Sequence, residues 1–198
     1  VEYMYRDEPN INIINVPDED EYKTILKFIN ENDIKNFIKV GHEFYPWGRE
    51  KDLGMGCAEI FYQQMNIPYE RRFDDFYYER DEDEERRVYE KLNPTDEEYI
   101  FIHDDASRGL EIPKKKIEEL TKTDNIKIIR NDITENLFCF GMVLEKAKQI
   151  HCMESAFRSL VEVLDTTDEV FFHNFREGAS GYLGNSTLKE WTEVEYNA

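Results

Sequence analysis

From residue 99 onward, short apolar runs rich in β-branched and aromatic residues alternate with segments of helical period. In order they are YIFIH (99–103), KKKIEELTK, IKIIR (126–130), LFCFGMVLEKAKQ, IHCM, SAFRSLVEVLD and EVFFHN. Strands separated by helix-length crossovers cannot close as hairpins. They pair in parallel, and a parallel sheet buries both faces under helices. Four strands and three helices within about 80 residues predict a compact, doubly wound, Rossmann-like sheet. The tail from Arg176, with Gly178, Gly181 and Gly184 and little periodicity, predicts a loop and then a short terminal helix.

The first half carries a weaker version of the same pattern. INIINV (11–16) reads as a strand, and the segment after it places Ile25, Leu26, Phe28 and Ile29 at helical spacing, with Pro17 and Asp18 as a start signal. FIKVG (37–41) reads as another strand, leading to a second helix around Met55 to Asn66. The βαβα order predicts an α/β unit over residues 1–80. Residues 67–80 alternate aromatic and charged side chains. DEDEERRVYEKL then has the acid–base spacing of a surface helix, so residues 81–98 are expected to link this unit to a second one at 99–198.

With 40% hydrophobic and 14% aromatic residues in 198, the chain can bury a core. Its 44 acidic residues against 25 basic ones give a net charge of -19, which repels nucleic acid and anionic membranes. An anionic ligand would need local donors. Cys57, Cys139 and Cys152 lack CxxC spacing and sit in apolar runs, as buried free thiols of a reducing compartment do. No stretch approaches the roughly 18–20 apolar residues of a membrane helix. These features predict a soluble, cytoplasmic protein with no membrane span. The start at Val1, close to strand-like sequence, suggests a fragment of a longer chain.

Ligands of open parallel sheets sit beyond the carboxyl ends of the strands. Two loops there have the chemistry for an anion. After YIFIH comes His103-Asp104-Asp105-Ala106-Ser107-Arg108-Gly109. Arg108 offers a planar fork of donors, Ser107 a hydroxyl, and Gly109 a close backbone approach. After IHCM comes Glu154-Ser155-Ala156-Phe157-Arg158-Ser159. Here Ser155 can cap the helix or meet a ligand, and the amides of Ala156, Phe157 and Arg158 lie at the positive end of the dipole. A serine in this place is commonly only a cap, and an arginine among acids commonly a solvated pair.

The phosphate motifs of other enzymes are missing: no GxGxxG follows a strand, and there is no GxxxxGK[ST]. His42, His103, His151 and His173 form no HExxH, so no zinc is expected. The acid pairs Asp74-Asp75 and Asp104-Asp105 are what chance supplies in so acidic a chain, and no metal is assigned to them.

YIFIHDDASRG, followed by NLFCFGMVLEKAKQIHCMESAFRSLVEVL, resembles the C-terminal domain of GT-B-type glycosyltransferases, in particular uncharacterised bacterial and large-virus sequences, and more distantly the fucosyltransferase-like group. GCAEIFYQQMNIPYERRFDDFYYERD resembles the segment closing the N-terminal domain of the same proteins. The likeness covers most of residues 50–175. It implies a partial, acceptor-side N-terminal domain at 1–80, a linker helix at 81–98 and a nucleotide-sugar-binding domain at 99–198. The glycine-bearing first strand and helix of that family are not found, so the start of the N-terminal domain would be lacking. The resemblance further implies that His103, Asp105, Ser107 and Arg108, with Glu154, Ser155, Ala156 and Phe157, hold the donor's diphosphate. Asn136 and Phe138 would lie near the base or ribose, unless Asn136 is an N-cap and Phe138 core.

The implied reaction moves a sugar from a nucleoside diphosphate to a glycan or other hydroxyl acceptor, with no separate cofactor and no metal. Arg108 and the amides from Ser155 to Phe157 would stabilise the leaving diphosphate as it gains charge. An inverting mechanism needs a base, for which His42 and Glu43 after FIKVG are the candidates. Two other readings fit the same residues: another nucleotide-sugar enzyme such as an epimerase, or a non-catalytic interaction module docking through the aromatic 69–78 segment.

Overall fold

The computed structural model describes residues 2–16, 20–41, 57–121, 126–174 and 187–196. The chain divides into two compact units, Val1–Glu79 and Arg80–Ala198.

In the first unit a 3-10 turn at Glu2–Tyr5 precedes helix α1 (Glu21–Glu31), α2 (Cys57–Gln64) and the single turn α3 (Arg71–Asp74). Both expected long helices are present; the expected strands are not. Residues 11–16 and 37–41 are irregular, and among the described residues this unit has no strand. The reason is pairing. Ile11, Ile14, Phe37, Ile38 and Val40 are all exposed, and β-propensity expresses itself only where a neighbouring strand takes the backbone hydrogen bonds and packs the side chains. Within the aromatic and charged run at 67–80, a cation stacks on nearby rings. The Arg72 guanidinium lies 3.9 Å from the Tyr69 ring centroid and 4.0 Å from that of Phe73.

The second unit is α/β and Rossmann-like. Strands β1 (Tyr99–His103), β2 (Lys127–Arg130), β3 (Gln149–Cys152), β4 (Val170–Asn174) and β5 (Thr192–Glu195) form one sheet in the order β2-β1-β3-β4-β5. Every pairing is parallel. Helix α4 (Glu82–Leu92) precedes the sheet, α5 (Lys114–Thr121) crosses from β1 to β2, α6 (Gly141–Glu145) from β2 to β3, and α7 (Ala156–Val163) from β3 to β4. All five residues of β1 are buried, as a central parallel strand requires. On one face Tyr99 donates its hydroxyl to Val143 O at 2.6 Å, and Phe101 meets Phe140 and Phe157. On the other, Ile100 and Ile102 join Ile112, Ile117 and Met153 in one cluster.

Two features depart from the sequence expectation. The tail ends in a strand, not a helix: TEVE pairs with β4, His173 beside Val194, with Val194 buried between exposed Glu193 and Glu195. What places it is the buried Glu162 of α7, which accepts from Leu188 N at 2.7 Å, Lys189 N at 3.1 Å and Trp191 Nε1 at 2.6 Å. LFCFGMVLEKAKQ, expected as one helix, is a 3-10 turn at Leu137–Cys139 followed by the short α6. As for α4, expected as a surface connection, it lies within the second unit and buries Glu85, Val88 and Tyr89. No described helix is long and apolar enough to cross a membrane.

Candidate functional site

After β2 the chain passes back across β1 to lay down β3 on its other side, so the connections leaving β1 and β3 run in opposite directions. Between them lies a crevice at the carboxyl ends of the strands, the topological switch point of an open α/β sheet. Its walls are the two loops singled out from sequence.

The β1 loop is held from below by Asp104. One carboxylate oxygen accepts from Ile112 N at 2.8 Å, the other pairs with Arg130 of β2, and Asp104 N donates to Asn131 Oδ1 at 2.8 Å. Above this clip, Asp105 and Leu110 exchange backbone hydrogen bonds, both 3.0 Å, around the 3-10 turn Ala106–Arg108. Gly109 closes the turn at φ 66°, a left-handed conformation that favours glycine, with nothing within 4 Å of the place a Cβ would take. Its place in the turn is thus set by backbone conformation, and the space beside it is open. Arg108 reaches back to Asp105 at 2.6 Å with its side chain 59% exposed.

In the β3 loop, Ser155 is the N-cap residue of α7 with extended backbone, φ -169° and ψ 171°, yet its side chain makes no capping hydrogen bond. Its Oγ lies 3.2 Å from Nδ1 of His103 across the crevice. The first-turn amides of α7 are thus left without their usual side-chain acceptor. The Phe157 ring packs among His103, Phe101 and Phe140, with centroids at 4.7, 5.6 and 5.1 Å. The ring is half-buried behind His103, and Phe157 is not among the residues lining the cavity. Glu154 is held by Arg158 Nε at 3.0 Å and by a second guanidinium nitrogen at 3.2 Å.

His103, Asp105, Arg108, Glu154, Ser155 and Ala156 line one cavity of about 400 Å³, within the usual range for small-ligand sites. The structure thereby brings together six of the eight residues expected at a diphosphate. Of the other two, Ser107 contributes its backbone to the 3-10 turn while its side chain lies outside the description, and Phe157 stands behind His103. Asn136 and Phe138 are not among the residues lining the cavity. Asn136 Oδ1 accepts from Phe138 N at 3.0 Å and caps the turn that follows, the simpler of the two roles weighed for it. His42 and Glu43 lie outside the described residues.

Burial pushes the His103 imidazole down to about 4, against the opposing pull of Asp104 and Asp105. At neutral pH the ring is uncharged and a weak base. A serine within reach of an imidazole resembles a nucleophile and its activator, but a base held so low accepts little proton from a hydroxyl. The pair therefore suits binding better than acyl transfer. The Cys139 and Cys152 side chains are buried, and burial raises the Cys152 thiol above its ordinary range. Among the described residues no group of three or more His, Cys, Asp and Glu is placed to hold a metal ion.

Sequence reasoning missed the clip of Asp104, Arg130 and Asn131, and a buried chain on β3, β4 and the end of β5. His151 Nδ1 lies 2.9 Å from His173 Nε2, and His173 Nδ1 lies 2.6 Å from the Tyr196 hydroxyl. The repeated buried histidines at strand ends were visible in the sequence, but their partner Tyr196 fell in the segment expected to be helical.

A scan against protein-family models, a search of curated proteins and a search of solved structures each find no match. The fold and the site define the class: an α/β protein with an all-parallel, Rossmann-like sheet and a polar cavity at its switch point.

Proposed function

We propose that this cavity takes the diphosphate of a nucleoside-diphosphate sugar, and that the chain is the donor-binding part of a GT-B-type glycosyltransferase acting on a hydroxyl acceptor. The observation that supports this is the convergence, in one cavity at the switch point, of the Arg108 guanidinium and the uncapped start of α7. The sequence resemblance of the same two loops adds the sugar and the transfer.

The chemistry follows from the charges. The bond from the sugar's anomeric carbon to the β-phosphate oxygen breaks, and negative charge grows on the leaving diphosphate. A bond to the acceptor oxygen forms, and the acceptor's proton passes to a base. Donors fixed in place before reaction stabilise that growing charge more than they stabilise the bound substrate. Arg108 and the amides of Ala156 and Phe157 are such donors, and they require no metal. The carboxylates of Asp105 and Glu154 would by themselves repel phosphate. Each is already paired with an arginine, which leaves them suited to accept from ligand hydroxyls. His42 and Glu43 remain the proposed base for an inverting reaction.

Titration calorimetry with uridine and guanosine diphosphates and their sugars tests the proposal. Binding of a nucleoside diphosphate, abolished or strongly weakened by Arg108→Ala, is expected. Absence of binding to every member of the panel at millimolar concentration would refute it. Product analysis with a bound nucleotide sugar separates transfer from epimerisation.

A further inference from the structure

We propose that Ser155 is a positioning residue: by donating its Oγ hydrogen to Nδ1 of His103 it fixes the imidazole as the Nε2–H tautomer, so that His103 presents a neutral donor to an oxyanion in the cavity. The inference rests on the reading of the cavity as a diphosphate site, and it adds a partner that neither loop shows alone.

Three observations carry it. First, Ser155 occupies the N-cap position of an eight-residue helix without capping it, and its Oγ is instead 3.2 Å from His103 Nδ1. Second, His103 is only 7% exposed and its ring lies against Phe157 at 4.7 Å, so the imidazole cannot turn freely to exchange its two nitrogens. Third, Ser155 stands at the positive end of the α7 dipole. There a hydroxyl lowers its energy by turning its oxygen toward the amides and its hydrogen away, which favours Oγ as the donor in its contact with Nδ1.

A neutral imidazole carries one hydrogen on its ring nitrogens, and the nitrogen that accepts a hydrogen bond cannot also hold it. With Nδ1 accepting, the hydrogen sits on Nε2, on a side chain that lines the cavity. Desolvation keeps the ring neutral although Asp104 and Asp105 pull the other way; Arg108 and Glu154 line the same cavity. A single hydroxyl thus does two jobs. It leaves the first-turn amides of α7 open to a ligand, and it sets a neighbouring ring to donate alongside them.

The test uses the full chain labelled with ¹⁵N-histidine and long-range ¹H–¹⁵N correlation spectra, with the His103 signals assigned by their loss in His103→Gln. The expected pattern is a pyridine-like Nδ1 and a pyrrole-like Nε2, with the Nε2–H resonance moving when inorganic pyrophosphate is added. Ser155→Ala should give averaged tautomers and about tenfold weaker pyrophosphate binding, the size of one lost hydrogen bond. Ser155→Thr, which keeps the hydroxyl, should restore both. An Nδ1–H pattern in the parent chain, or a pattern that Ser155→Ala leaves unmoved, overturns the proposal. The Nε2–H pattern without any response to millimolar pyrophosphate or uridine diphosphate overturns the proposed function, and with it the oxyanion as the partner of His103, while the tautomer set by Ser155 stands.

Discussion

Gly141 lies directly against the carboxylate of Glu85: a Cβ built on this glycine would fall 2.6 Å from Glu85 Oε2. The carboxylate is fully buried, accepts from Met142 N at 2.9 Å and from Arg80 Nε at 2.8 Å, and so seats the start of α6 on α4. Arg80 continues to Glu145 at 2.6 Å, at the other end of the same short helix.

Gly141→Ala should therefore destabilise the second unit by about 1–3 kcal/mol, the usual cost of overpacking a filled site. Urea denaturation of both proteins measures it. Equal midpoints would show that the Glu85 carboxylate can step aside. Its neighbours argue against that, because moving it leaves the Met142 amide without its acceptor and Arg80 with Glu145 alone.

Glu162 makes a second prediction, for the strand that the sequence did not reveal. Replacing it with alanine removes the acceptor of Leu188 N, Lys189 N and Trp191 Nε1 together. It also leaves Arg158, 3.8 Å away, with Glu154 alone. A loss of about 3 kcal/mol is expected from the unpaired donors. Hydrogen exchange at Leu188 and Lys189 should quicken beyond that of β1. Unchanged exchange there would mean that β5 is held by its pairing to β4 and not by this carboxylate.

What the sequence showed and what it hid divide on sequence distance. β1 to β4 were legible because each centres on a short run rich in β-branched or aromatic residues, and helix-length segments separate them. β5 was not, for its buried face is Val194 between two glutamates. INIINV and FIKVG misled in the opposite sense, since they have strand composition but no partner strand among the described residues. The two loops of the cavity could be placed because strand ends in such a sheet converge on one edge whatever their residues. The Asp104 clip joins the end of β1 to Arg130 and Asn131 of β2 and its exit. No local pattern encodes a partner that distant. The cap at Asn136 was legible as a cap, and its proposed place near a ribose came from resemblance alone.

The buried histidines set a pH dependence. Burial, first of all, holds His103 and His173 at about 4 and His151 at about 3, with Lys116 adding to the effect on His173 and His173 to that on His151. In the unfolded chain each titrates near its ordinary value of about 6.5. Between these limits the unfolded state binds more protons. The stability they contribute is complete above pH 6.5 and is lost as pH falls toward 4, at about 1.4 kcal/mol per pH unit for each extra proton the unfolded chain holds. Because His151 and His173 share a hydrogen bond, they titrate as a pair. Arg87 with Lys91 lowers Glu135 to about 2 and Lys91 lowers Asp132 further, so those carboxylates act below the histidine range. Thermal melts from pH 7 to 5 should show a steady fall in Tm, shallower in His173→Gln. A flat profile over that interval would contradict the burial of all three rings.

The remaining prediction concerns Arg108, whose exposure sets the size of the effect. Its side chain is 59% exposed although Asp105 is buried, so Arg108→Ala should change the stability of the empty protein by no more than about 1 kcal/mol. Toward a diphosphate the same side chain would act as a charged donor beside the α7 amides, where a charge-assisted hydrogen bond contributes about 1.5–3 kcal/mol. Uridine or guanosine diphosphate at millimolar concentration should therefore raise the Tm of the parent chain, and Arg108→Ala should lose most of that rise while melting alone as before. Ser155→Pro should weaken the rise as well, because it deletes the hydroxyl facing His103 and alters the entry into α7. A nucleotide-induced rise that survives Arg108→Ala undiminished would place the anion elsewhere than at the β1/β3 switch point.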